Sequence, residues 1–402
     1  MPLGWIDFSK TERNKVLSVL DMLSDSGTLD ELGIAPIRDG FANLFFPGTS
    51  TIQTRAKYFM IVPYVLKDLE YSSETNPNRM LRTLDEIERR CGEILIAGED
   101  KDGIIGSRSL AQGKWVKRTP ADIYWAGLRN YGIFTGGTLS LSEYVRAICA
   151  LKNQKATVAK LGNRNDNADA DKGDDKDAGE LFRKQFWKIP TYQEKWMEDI
   201  SIKLSLEEAS FLKGQIIASY PDSMLAYILK NDVTDIFAAK TFQDLETLIL
   251  SFPEQIREDY ALAFDFSKFL FVLRVVYNMI VSDNQNEDAN DLWEKLLPDI
   301  PALADVDLER IFSRLNVYGN VFLRNFLKGS QTLMKESDLE GLKIEIKRRE
   351  RELKQSRAKT LHPGEFDLDG WFGGGELDYR FDNAKVIIKD IFESEGIYVK
   401  SK

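Results

Sequence analysis

The chain has 402 residues, 43% of them hydrophobic, and carries 54 Lys and Arg against 64 Asp and Glu, a formal net charge of −10. The apolar share suits a globular protein with a buried core, and the length suits two or three domains of roughly 150 residues each. The acidic balance argues against a wholly basic nucleic-acid binder, no apolar run reaches the roughly 18 residues of a membrane span, and two distant cysteines argue against a disulfide framework.

The opening MPLGWIDFSK lacks the basic and apolar regions of a secretory signal, so a cytoplasmic protein of bacterial style and without membrane contact is expected. Charge is unevenly spread. Residues 1–160 hold 21 basic and 19 acidic side chains, 161–342 hold 20 and 33, and 343–402 hold 13 and 12. Because local surface decides phosphate affinity more than whole-chain charge, both ends stay eligible for a polyanion.

Helix-start signals recur along the chain, while period-two alternation is sparse. Capping boxes, Ser or Thr followed three residues later by Glu or Gln, stand at Ser9/Glu12, Thr28/Glu31, Ser50/Gln53, Ser140/Glu143, Ser205/Glu208 and Ser337/Glu340. Thr119-Pro120 with Asp122 is a variant that places proline at the first helical position. The fold class read from this pattern is mostly α.

In chain order, helices are predicted at about 10–24, over TLDEL, at 36–46 and at 51–69, the last opened by the turn FPGTS. Pro63 is expected to kink or end that fourth helix. The pair over 36–69 matches the outline of a helix-turn-helix unit. A fourth helix beginning there would offer Thr49, Thr51, Thr54 and Lys57 to a phosphate at its N-terminus, with Ser50 and Gln53 occupied as caps. Arg55 falls on the apolar side and is expected to pair with a carboxylate such as Asp39 or to cover the core with its stem.

Further helices are predicted at about 78–92, 120–131 and 141–152. Between the first two of these, KDGIIGSRSLAQGKWVKR (101–118) carries five basic residues and one acid. Arg108, Lys114, Lys117 and Arg118 interleave there with Trp115, a pattern that suits phosphate contact plus base stacking. A solvated loop with a tucked tryptophan is the plainer reading of the same residues.

Residues 161–180, LGNRNDNADADKGDDKDAGE, hold seven acids, three basic residues and three glycines. A segment with so little to bury cannot offset its ordering entropy, so an acidic flexible linker is expected. Asn167, Asp169 and Asp171 alternate as calcium ligands would, but the glycine comes one place late and Ala178 stands where a closing Glu belongs. The domain division expected is therefore a helical N-terminal domain over 1–160, a linker over 161–180 and a helical C-terminal domain over 181–402.

Beyond the linker, helices are predicted at about 206–218, 222–230, 241–250, 254–282, 289–297, 307–315, 320–334, 338–360 and 382–394. The run FLFVLRVVYNMIV (269–281) is apolar nearly all round and should be the buried central helix of the second half. On the 338–360 helix, Lys343, Lys347, Arg351 and Lys354 form a stripe able to neutralise phosphates, or to pair with Glu345, Glu350 and Glu352.

Catalytic signatures are missing. The single histidine, His362, cannot build a HExxH zinc site, and neither a G-x-S-x-G elbow nor a phosphate-binding G-x-x-x-x-G-K-[ST] loop occurs. Asp378, Asp382 and Lys385 after the glycine run 373–375 faintly echo a metal-dependent nuclease, but on a turn and helix rather than a strand framework. No catalytic residue, cofactor or metal is assigned, which leans the reading away from an enzyme.

W-x-D-F-S (Trp5–Ser9), D-E-L-G-I with I-R-D (Asp30–Ile34, Ile37–Asp39), F-P-G-T-S-T-I-Q-T-R (Phe46–Arg55), a block around Arg349–Ala358 and L-D-Y-R (Leu377–Arg380) occur in this order. Together they resemble an uncharacterised bacterial family of about 400 residues classed as a domain of unknown function. The resemblance implies phage-defence or mobile-element gene neighbourhoods and supplies no catalytic residues. Combined, these readings give an accessory protein that contacts DNA through its N-terminal domain. Its C-terminal domain would bind a protein partner encoded nearby, such as a helicase or nuclease. A scaffold without nucleic acid and a nuclease built on the C-terminal acids are the alternatives.

Overall fold

The computed structural model describes residues 30–162, 186–190, 192, 195–366 and 370–398. The predicted helix at 10–24, the Trp5–Ser9 motif, the Ser9/Glu12 box and the linker and calcium-like residues from 163 onward lie outside the described residues.

The described chain is helical. Its α-helices are α1 (Ala35–Phe45), α2 (Tyr58–Tyr71), α3 (Pro77–Ala97), α4 (Ser107–Leu110), α5 (Pro120–Asn130), α6 (Leu141–Gly162), α7 (Leu206–Ser219) and α8 (Met224–Lys230). They continue as α9 (Glu246–Ile249), α10 (Glu254–Val281), α11 (Glu287–Leu296), α12 (Ile300–Leu303), α13 (Leu308–Arg314), α14 (Val321–Lys335), α15 (Leu339–Lys354) and α16 (Phe381–Ser394). The only β pairing among the described residues is an isolated antiparallel bridge between Phe134 and Trp187.

Most predicted helices stand within a few residues of their expected bounds; the helix predicted at 141–152 instead runs on to Gly162, two residues into the expected linker, and the other exceptions have identifiable causes. The fourth begins at Tyr58 rather than 51, because residues 46–57 spend their backbone groups on long-range partners, described below. It then continues through Pro63, which lies inside α2. TLDEL is not a helix in its described part: the Asp30 carboxylate accepts from the N–H groups of Leu32 (3.2 Å) and Ile34 (2.9 Å), closing a turn. α15 stops at Lys354 instead of 360, where Gln355 takes a left-handed backbone (φ 53°). Its start is capped by Asp338 rather than Ser337. Residues 241–250 make a short 3₁₀ turn and then α9.

The described residues group into two compact units, and the chain visits each twice. The first takes the described residues up to Gly40 together with those of Leu262–Leu377; the second takes those of Phe41–Ala261 and those from Asp378 onward. This partition interleaves the sequence, whereas the boundaries expected at 161–180 cut it once.

In the first unit, the 262–281 part of α10 is the core. Of residues 269–281 only Phe271 keeps partial exposure, as the all-round apolar run requires. The α14–α15 hairpin packs its Leu323, Phe326, Leu342 and Ile346 inward. Residues 370–377 are strapped to α10: Asn278 exchanges hydrogen bonds with the Phe372 backbone (2.8 and 3.0 Å), the Ser267 hydroxyl accepts from Leu377 N–H (2.7 Å), and Arg274 donates to Gly375 O.

In the second unit, α2 is buried nearly all round and packs on α3 and α5. An aromatic cluster of Trp125, Phe134, Tyr144, Phe186 and Trp187 lies beside it, with ring centroids 4.6–6.2 Å apart. The capping boxes at Thr119/Asp122, Ser140/Glu143 and Ser205/Glu208 form as predicted.

Candidate nucleic-acid interface

The segment Phe46–Lys57 is a non-helical loop in the second unit, buried except around Thr51 and Ile52. Gly48 takes φ 78°, and a Cβ there would sit 2.5 Å from the Tyr131 ring, so a side chain is refused on both counts. The Tyr131 hydroxyl donates to Pro47 O (2.8 Å). Tyr124 closes the other end: its hydroxyl accepts from the N–H groups of Thr54 (2.9 Å) and Arg55 (3.0 Å) and donates to Arg55 O (2.8 Å).

Residues far along the chain complete the clamp. Arg55 forms a buried pair with Asp390 (3.0 Å) and also reaches Asp100 (3.3 Å) and Asp102 O (2.8 Å). Burial lifts the Asp390 carboxyl above its ordinary value against the pull of Arg55. Asp390 also accepts from Ala56 N–H (2.8 Å), Arg380 donates to Thr49 O (2.9 Å), and Asn383 donates to Thr51 O (3.2 Å) and Gln53 O (2.8 Å). Arg55 therefore pairs with carboxylates as expected, but with Asp390 and Asp100 rather than Asp39, which pairs with its neighbour Arg38 (3.0 Å).

This geometry corrects the phosphate-binding reading of the loop. No helix starts at residue 51, and α1 and α2 are separated by residues 46–57 rather than by the 3–4-residue turn of a helix-turn-helix unit. Lys57 is 9% exposed and its ammonium lies 2.6 Å from Glu208, whose carboxylate also caps α7. Thr49 is buried with its hydroxyl on Phe46 O (2.6 Å), and the Thr54 hydroxyl donates to Gly103 O (2.6 Å). Thr51 alone of these four expected contacts stays exposed.

The 101–118 segment answers differently. It folds over α3 in the second unit: a Cβ on Gly92 would meet Leu110 at 3.0 Å and Trp115 at 3.4 Å, and one on Gly106 would meet the Trp115 ring at 2.7 Å. Trp115 is thus a half-buried anchor, its indole nitrogen buried and one ring edge packed against two glycines. Tyr58 accepts from Ile105 N–H (2.9 Å), and Lys114 N–H returns to Ser109 O (2.9 Å), which folds the chain back onto α4. Arg108, Lys114, Lys117 and Arg118 are exposed. From Gly103 to Arg118 there is no acidic residue.

In the first unit the stripe on α15 is partly neutralised. Lys343 pairs with Glu340 (3.0 Å), and Lys354 with the buried Glu350 (3.1 Å) and with Glu31 (3.8 Å). Lys347 and Arg351 remain exposed, with no ion pair to a described residue. Sequence reading missed Arg349, which is buried, donates to Leu32 O (2.9 Å) and Gly33 O (3.4 Å), and lies over the Phe326 ring. Its apolar neighbours at i−3 and i+4, Ile346 and Leu353, were the available signal.

Asp378 and Asp382 sit at the start of α16, where Asp378 accepts from Asp382 N–H (3.4 Å) and Asp382 pairs with Lys385 (3.4 Å). Burial and the neighbouring Asp382 hold the Asp378 carboxyl above its usual range. Among the described residues no group of three or more His, Cys, Asp or Glu side chains could hold a metal, and no helix is long and apolar enough to cross a membrane. Cys91 and Cys149 are both buried and unpaired, and burial pushes the Cys91 thiol up to about 12.

Fold and site together define an all-helical protein with two described units, one of which carries a clamped loop beside a basic, tryptophan-anchored segment. Residues 1–154 match the model of a family of unknown function (DUF6361). No curated protein and no solved structure matches the chain.

Proposed function

We propose that this is a non-enzymatic accessory protein that contacts DNA through the 101–118 segment and a protein partner through its C-terminal part. The observation that carries the reading is that Arg108, Lys114 and Lys117 are exposed, make no ion pair to a described residue, and lie in a stretch without acids. Such cations gain by replacing condensed counterions on a phosphate backbone. The partner reading draws on exposed apolar side chains of the first unit, chiefly Val321, Phe322 (72% exposed) and Ile344. Phage defence or a mobile element is the setting the family resemblance implies, and cytoplasmic placement belongs to the same proposal.

The test is duplex-DNA binding by the full chain at low and higher salt. Lys114→Glu with Lys117→Glu should weaken binding about ten-fold or more at low salt. No affinity at low salt, or an unchanged affinity in the variant, overturns the reading. A scaffold without nucleic acid is the second reading, favoured by the internal pairing of Arg55, Lys57, Lys343 and Lys354. It predicts a stoichiometric complex indifferent to nuclease treatment.

A further inference from the structure

We infer that the ligand of the 101–118 segment is a phosphodiester backbone read without regard to base sequence or strandedness; this rests on the nucleic-acid reading above. Reading bases in a duplex needs an element that enters a groove with several side chains on base edges. α2, which would be the recognition helix of a helix-turn-helix, is buried from Tyr58 through Leu66 and cannot present a face. The only helix in the basic segment is the four-residue α4 (Ser107–Leu110), which carries one long polar side chain, Arg108. Selecting single strands needs an open aromatic face on which bases stack. Trp115 is the only aromatic residue of 101–118, and its ring is half-buried, with one edge packed on Gly92 and Gly106.

What remains is charge held in place. Leu110 and Trp115 fix the segment to α3, and the Lys114–Ser109 backbone bond folds the chain back onto α4, which carries Arg108, with Lys117 three residues beyond Lys114. Three point charges on a fixed loop can bridge neighbouring phosphates of any polynucleotide. They carry no information about the bases between those phosphates.

The experiment measures binding of the full-length protein to two unrelated duplexes and one single strand of equal length across a salt series. Equal duplex affinities within about three-fold are expected, with a log–log salt slope near −2.7 for duplex and near −2.1 for single strand, from three neutralised phosphates. Arg108→Ala should flatten the duplex slope by about one unit on both sequences alike. A preference above about ten-fold for one duplex, or for the single strand over both, overturns this inference while leaving the nucleic-acid reading intact. Absence of binding to all three at low salt overturns that reading itself.

Discussion

Glu88 sits on the inward face of α3, 1% exposed, with one carboxylate oxygen accepting Ala121 N–H (2.7 Å) and the other without a partner. Burial pushes its carboxyl up to about 8, with Asp122 and Asp85 adding to the rise and Thr119 and Ala121 opposing it. In the unfolded chain the same group titrates near the ordinary glutamate value of about 4.3. The folded state therefore favours the proton. The contribution of Glu88 is intact below the unfolded value, declines as pH rises, and is fully lost once pH passes the folded value. Glu88→Gln should match the parent near pH 4 and exceed it by on the order of a few kcal/mol above pH 8. Urea midpoints of both proteins across that range would show diverging curves; parallel curves would contradict the burial argument. Nothing in the sequence marks Glu88 apart from Glu86 or Glu93 except its place on the apolar side of α3, and periodicity alone does not say that a carboxylate there would be tolerated.

At the scale of elements, the 46–57 loop was the most visible stretch of the sequence and the least well anticipated. Its Ser50/Gln53 pair does form half of a capping box, Gln53 accepting Ser50 N–H at 3.2 Å, yet no helix follows. A capping box lowers the free energy of a helix start by roughly a kcal/mol, which long-range hydrogen bonds readily exceed. Tyr124 supplies three of them. Tyr124→Phe leaves the Thr54 and Arg55 N–H groups without that acceptor at a buried site, so a loss of about 2–4 kcal/mol in unfolding free energy is expected. Denaturant unfolding reads it directly, and a loss under about 0.5 kcal/mol would mean that the loop has other support. The tryptophan of the basic loop admits two readings from sequence, anchor or stacking platform. Gly92 and Gly106 make it an anchor by leaving room for one edge of the ring.

Over the whole molecule, the matched region 1–154 contributes to both units and completes neither. In the second unit Arg55 needs Asp390, Lys57 needs Glu208, and Thr49 and Gln53 give their carbonyls to Arg380 and Asn383. In the first, Leu32 and Gly33 are held by Arg349. A fragment ending at residue 154 would strand buried charges, each costing about 3–5 kcal/mol when its partner is removed. It should show no cooperative unfolding transition by circular dichroism, whereas the full chain should. A sharp transition in the fragment would make the interleaved pairings dispensable.

The helical class, most helix positions, the buried 269–281 run and the three working capping boxes were determined by the sequence alone. Each depends on residues within a turn or two of one another, where spacing and hydrogen-bonding chemistry suffice. Tertiary structure alone decided which cations stay in water, where the loop after Phe45 leads, and how the chain divides into units. Those outcomes hang on partners such as Glu208 and Asp390, more than a hundred residues from the groups they hold. A single sequence records no such distance between a charge and the one that will neutralise it.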